Sequence, residues 1–155
     1  MGDSVMLAGQ LEGVQLTPLQ QIGVEGGDVY HAMKRTDQGY DGFGECYFSF
    51  VEPQAIKAWK QHIKMILNLV VPVGIVRIVI VDQREESSTC GQFQEVILSP
   101  DNYQRLTIPP KLWVGFQGVA EFTSMMLNVA NIEHCPDESS NVELGAIQFD
   151  WTNES

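Results

Sequence analysis

Lys60, His62 and Lys64 stand at alternate positions in IKAWKQHIKMILNLVVPVGIVRIVIVDQR, the stretch from Ile56 to Arg84. Side chains of an extended strand alternate between its faces. The spacing therefore predicts two ammonium groups flanking an imidazole on one face, with Trp59, Ile63 and Met65 on the other. Like charge on either side favours a neutral His62, able to accept a proton. Lys60 suits a developing oxyanion, or acts as a base itself where desolvation favours its neutral form. A base beside a cation is what proton abstraction next to a carbonyl needs. Arg77, Arg84 and Arg105 are candidates for a clamp on an anionic group such as a pyrophosphate, with a structural pair to Asp82 or an acidic loop residue the alternative for Arg84, and Lys57 and Lys64 add to the same cationic set.

The elements that must carry these groups are short strands. Val70–Val71 and Ile75–Val81 are β-branched runs divided by Pro72 and Gly74, and they read as strands buried on both faces. ECYFSFV (Glu45–Val51), Phe93–Leu98, Leu106–Ile108, LWVGF (Leu112–Phe116) and FTSMMLNV (Phe122–Val129) read as further strands, and DVYHAMKR (Asp28–Arg35) as a weaker one. Residues Met1–Gly27 read as an irregular arm with one strand. Turn residues separate these runs at roughly 8–12-residue spacing, and no segment has the length and period of a long helix. The expected fold is all-β, a sandwich or jelly-roll barrel, in a single domain over residues 1–155. Trp113 and Phe116 fit either its core or a platform on which a ring stacks.

The chain's charge narrows its partners. The formal net charge is −11, which repels nucleic acid and anionic membrane. All nine Lys and Arg lie between Lys34 and Lys111, and five fall within Ile56–Arg84 with only Asp82 opposing them. A cationic island in an acidic protein suits a small anionic ligand. No run approaches the roughly 18 apolar residues of a membrane helix, and the first residues lack the pattern of a secretory signal. Cys46, Cys90 and Cys135 form neither a paired framework nor a CxxC motif, so a reducing compartment, the cytoplasm, is expected. Three scattered histidines do not supply the convergent donors of a metal site, and no metal is expected.

Several segments, taken in order, resemble the dTDP-4-dehydrorhamnose 3,5-epimerase family. They are GDVYHAMKR, FGECYFSFVEPQAIKAWKQHIKM, GIVRIVIVDQR, DNYQRLTIPPKLWVGFQG, HCPDE and the closing FDW, together covering Gly27 to Trp151. The resemblance implies a cupin-like double-stranded β-helix, usually a homodimer, that binds a thymidine-diphospho-sugar in its lumen. It implies proton abstraction beside a 4-keto group without metal or other cofactor. By the same resemblance Lys60 occupies the position of the catalytic histidine, His62 that of a second histidine, and Lys57 that of a strand arginine. The lysine that steadies the enolate falls near Leu67 or Asn68, and the tyrosine acid at Leu127 or Asn128. The orienting aspartate falls at Asn141, and a histidine before Gly-Phe at Val114. Lys60, His62, Asn128 and Asn141 are thus the expected catalytic positions. Lys57, Lys64, Asn68, Arg77, Arg84, Arg105 and Trp113 are the expected substrate-binding ones. A non-catalytic module that keeps the pocket is the alternative.

Overall fold

The computed structural model describes residues 9–153 and is built from β-strands and short turns. One sheet runs β1 (Gln15–Pro18), β9 (Gln104–Ile108), β6 (Leu67–Val73), β11 (Ser124–Ala130), β4 (Glu45–Val51). The other runs β12 (Ser139–Asn141), β5 (Ile56–His62), β10 (Trp113–Gly118), β7 (Val76–Val81), β8 (Phe93–Leu98). All neighbours within these sheets are antiparallel. Most hydrogen-bonded pairs are distant in sequence, as in a jelly roll whose strands cross between sheets. The expected all-β, cupin-like architecture is the one observed.

The two inner faces share one core, with Leu69, Val71, Leu106 and Met126 from the first sheet and Ile78, Ile80, Leu98 and Val114 from the second. Alternation is clean in β8 and β11, which bury every second residue, so one face of each meets the core. Strand β7 is buried at all six positions. Its outward residues Val79 and Val81 are covered by a second cluster with Trp59, Ile147 and Trp151. The chain beyond β12 thus lies across the outer face of the second sheet, and the β-branched run Val76–Val81 is apolar on both sides because both sides are dry. Gly74 (φ +91°) makes the turn from β6 to β7, where a β-carbon would fall 2.1 Å from Ser124 Oγ.

Two local expectations differ from the structure. The strand over Asp28–Arg35 shrinks to β3 (Val29–Tyr30), paired only with β2 (Gln21–Ile22). The segment after it is a loop whose carbonyls are held by a side chain rather than by a ladder. The face shared by Trp59, Ile63 and Met65 does not exist, because β5 stops at His62 and the chain bends there. Trp59 joins the outer cluster, Met65 the inner core, and Ile63 is exposed. The N-terminal arm contributes β1, whose Gln15–Pro18 pairs with Gln104–Thr107; residues 1–8 lie outside the described ones.

Candidate active site in the barrel lumen

A cavity of about 320 Å³ opens between the sheets above the shared core. Strand β5 forms one wall with Lys57, Lys60 and His62, and β10 adds Val114 and Phe116. Tyr47 and Ser49 of β4, Leu67 and Leu69 of β6, and Met126 and Asn128 of β11 form the facing wall; Asn141 of β12 lies at the rim. Lys60, His62, Asn128 and Asn141 therefore meet around one space, with Lys57 beside them. The apolar floor and few polar groups give the composition usual for a small-molecule site.

A bulge decides which part of β5 faces inward. Val114 pairs with Lys60 and Phe116 with Lys57, so Ala58 and Trp59 together face the single Gly115. Both of those residues pack toward the outer cluster, and the Trp59 ring lies 5.5 Å from that of Trp151. Strict alternation predicts Ala58, Lys60 and His62 inward; the inserted residue makes the set Lys57, Lys60 and His62. Lys57 donates from Nζ to the Phe50 carbonyl (3.2 Å) at the seam between β5 and β4.

His62 does not sit between two lysines. Lys64 lies beyond the strand end, exposed, and the neighbour of the imidazole is a carboxylate. Glu138 Oε1 is 2.7 Å from His62 Nδ1, and Oε2 accepts the backbone N–H groups of Lys64 (3.0 Å) and Met65 (2.7 Å). Burial raises the Glu138 carboxyl, but the bond from His62 and the two backbone donors outweigh it and hold the group below its ordinary value. An ionised carboxylate only accepts, so Nδ1 carries a proton, and in the neutral ring the lone pair is on Nε2. Glu138 reaches this place because β12 pairs with β5, Ser139 opposite His62 and Asn141 opposite Lys60. Ion pairing with a carboxylate is confined, among the described residues, to His62, Arg77, Arg84 and Arg105; Lys60 is not in such a pair.

The remaining expected residues lie elsewhere. Asn68 points away from the lumen, donating to the Gly39 carbonyl and accepting from Thr107 Oγ1. Arg77, on the outer face of β7, is held by Glu95, Gln117 Oε1 and the Trp151 carbonyl beneath the Phe149 ring. Arg84 binds both oxygens of Asp82 and the Glu12 carbonyl (2.7 Å). Arg105, fully buried, donates to the carbonyls of Ala32 and Gln38 (both 2.8 Å) and to Asp37. Trp113 packs with the outer cluster. None of these borders the cavity.

Tyr47, which lines the lumen, and Glu138, which bonds His62 without itself lining the cavity, are site residues that the sequence left unassigned. Alternation in ECYFSFV puts Tyr47 and Ser49 on the same face as the buried Val51, a signal present in the sequence. Nothing local marks Glu138, which meets His62 across 76 residues.

Comparison with known proteins gives concordant results. A family model described as dTDP-4-dehydrorhamnose 3,5-epimerase matches residues 56–155. The crystal structure of a dTDP sugar isomerase from Desulfovibrio desulfuricans G20 is 39% identical, with 96% of this chain and 98% of that one covered at a TM-score of 0.89. A probable low-salt glycan biosynthesis epimerase of Haloferax volcanii is 28% identical over 113 residues, 70% of this chain and 72% of the relative. The fold also matches, at TM-score 0.75 and 21% identity over 89% of this chain and 77% of the other, a Legionella pneumophila epimerase solved in complex with dTDP-4-keto-L-rhamnose.

Proposed function

The chain belongs to the dTDP-4-dehydrorhamnose 3,5-epimerase family, and from that premise we propose that its lumen binds a dTDP-4-keto-6-deoxyhexose or a related nucleotide sugar and epimerises it by moving a proton next to the keto group. The observation that carries this is the His62–Glu138 pair in the cavity wall, with Lys60 two residues away on the same face.

Glu138 fixes the imidazole tautomer, so His62 Nε2 is the atom that accepts a carbon-bound proton. The C–H electron pair moves into the enolate, whose oxygen takes its charge toward the Lys60 ammonium. Asn128 and Asn141 offer hydrogen bonds to sugar hydroxyls. Lys57, exposed at the seam of the sheets, is suited to the diphosphate. What this chemistry needs is the keto carbon held between base and ammonium.

A homodimer in the cytoplasm, each chain a single domain, completes the proposal. Strand β4 is an edge strand whose outward Phe48 and Phe50 are 59% and 57% exposed, a surface that a second copy would cover. The three cysteines are free and exposed, which fits a reducing compartment. Among the described residues no helix is long and apolar enough to cross a membrane.

The deciding experiment presents the protein with dTDP-4-keto-6-deoxyglucose in heavy water. Deuterium should enter a carbon beside the keto group, and His62→Gln should abolish the exchange. Binding of the nucleotide sugar with no exchange in the wild-type protein would instead favour a non-catalytic binding module.

A further inference from the structure

Inversion at a carbon beside a ketone needs a proton removed from one face and another delivered to the opposite face. A single base returns its proton to the face it came from. His62, Lys60 and Lys57 all project from β5, so they serve one face of a sugar held in the lumen. The facing wall is apolar at Leu67, Leu69 and Met126, and its polar side chains are Ser49, Asn128 and Tyr47. An amide does not exchange protons in this way, and an aliphatic hydroxyl gives one up far less readily than a phenol.

We propose that Tyr47 is the second catalytic group, donating its phenolic proton to the sugar carbon from the face opposite His62; this rests on the epimerase function proposed above. The hydrogen-bond network is arranged for donation. Asn128 lies directly opposite Tyr47 in the β11–β4 ladder. Its Oδ1 accepts the backbone N–H of Asn68 (3.0 Å), which fixes the orientation of the amide. Its Nδ2 therefore donates to the Tyr47 oxygen, also at 3.0 Å. Because that oxygen already accepts, its own proton is left to point toward a ligand, and the amide N–H remains on the oxygen after the proton has gone. Tyr47 is 41% exposed, so water can restore the proton between turnovers.

The balance closes without an outside reagent. His62 Nε2 gains the carbon-bound proton as the enolate forms. The enolate carbon then takes the Tyr47 proton on its other face and the ketone is restored. Imidazolium and phenolate return to their starting states by exchange with water. No electron is transferred to or from the protein.

Tyr47→Phe separates the two half-steps. Wild-type protein with dTDP-4-keto-6-deoxyglucose in heavy water, followed by NMR, should show both deuterium entry and inversion at the same carbon. Tyr47→Phe should keep deuterium entry into unepimerised substrate while inversion falls about 10²–10⁴-fold. Asn128→Asp, which turns the phenolic proton toward a carboxylate, should give the same split and guards against a folding defect peculiar to one variant. Inversion surviving in Tyr47→Phe within about threefold, well short of the loss expected of an acid, would overturn the role of Tyr47 alone. Exchange and inversion falling together would also overturn it, by reducing Tyr47 to a binding residue. Neither exchange nor inversion in the wild-type protein would overturn the parent function with it.

Discussion

His62 and Glu138 form a bond of 2.7 Å between an imidazole Nδ1 and a buried carboxylate that also accepts two backbone N–H groups from the turn after β5. One side chain therefore fixes both the tautomer of the imidazole and the bend that ends its strand. Glu138→Gln places an amide N–H against Nδ1 or turns its oxygen away from the turn. We expect kcat to fall about 10²–10⁴-fold with KM little changed. A steady-state comparison at several pH values would show it; a loss confined to KM would mean that the pair serves binding instead.

Acid sensitivity follows from the same carboxylate and from Asp82. Burial raises Asp82, but the bonds from Arg84, Ser87 and Thr89 outweigh it and leave the carboxyl well below its ordinary value. Both groups are thus depressed in the native state, which binds fewer protons than the unfolded chain as acid is added. Their stabilisation is complete above the ordinary carboxylate range, about pH 4–5, and is lost as pH falls through the native values. Asp82→Ala should cost about 3–5 kcal/mol at pH 7. In urea titrations the gap to wild type should narrow as the pH is lowered; a gap independent of pH would contradict this origin.

Arg105 commits both terminal nitrogens of its guanidinium inside the protein. Replacing it with Met leaves the carbonyls of Ala32 and Gln38 unpaired, at a cost of about 2–5 kcal/mol. Proteolysis in the segment between β3 and β4 should speed up, while the folded fraction binds dTDP as before. Lys57→Ala should do the reverse, weakening dTDP binding and its salt dependence with little change in stability. Calorimetric titration at two salt concentrations distinguishes the two, and weak dTDP binding by well-folded Arg105→Met protein would place Arg105 in the ligand site.

Gly115 holds the bulge that turns Lys57 inward. A β-carbon there would come within 2.7 Å of Ala58 Cβ and 3.0 Å of the Trp151 ring. Gly115→Ala should therefore destabilise the protein by about 1–3 kcal/mol. Ala58→Gly in the same chain should recover part of that loss, and additive effects in the double-mutant cycle would show that the two sites do not meet.

The outward aromatics of β4 give an assembly test. Phe48→Asp with Phe50→Asp should shift the protein to a monomer in sedimentation, with the lumen residues of the same strand untouched. An unchanged mass would exclude this face as the contact.

The sequence made the strands legible because each buries one or both faces against a core, and burial imposes a period that residue types record. It marked Lys60 and His62 correctly as neighbours on one face for the same reason. It could not show that Ala58 and Trp59 share the opposite face, since a bulge is a property of the pairing with β10 and not of β5 alone. Arginines were harder still. Arg77, Arg84 and Arg105 share a charge with Lys57, but only the fold reveals how far carbonyls and carboxylates have taken up their donors. Glu138 was hidden by distance: its partner is set by which strand β12 joins, and three residues of sequence do not specify that.

The order of synthesis gives the link between β12 and β5 a further consequence. Glu138 follows His62 by 76 residues, so at 5–20 residues per second it emerges about 4–15 s later. Strands β6 to β11 all emerge in that interval, and both sheets can close around an imidazole that has no carboxylate to orient it. On the mechanism proposed above, a nascent chain is therefore a barrel before its base is oriented, and one that stalls short of β12 lacks Asn141 at the pocket rim as well as the Glu138 carboxylate.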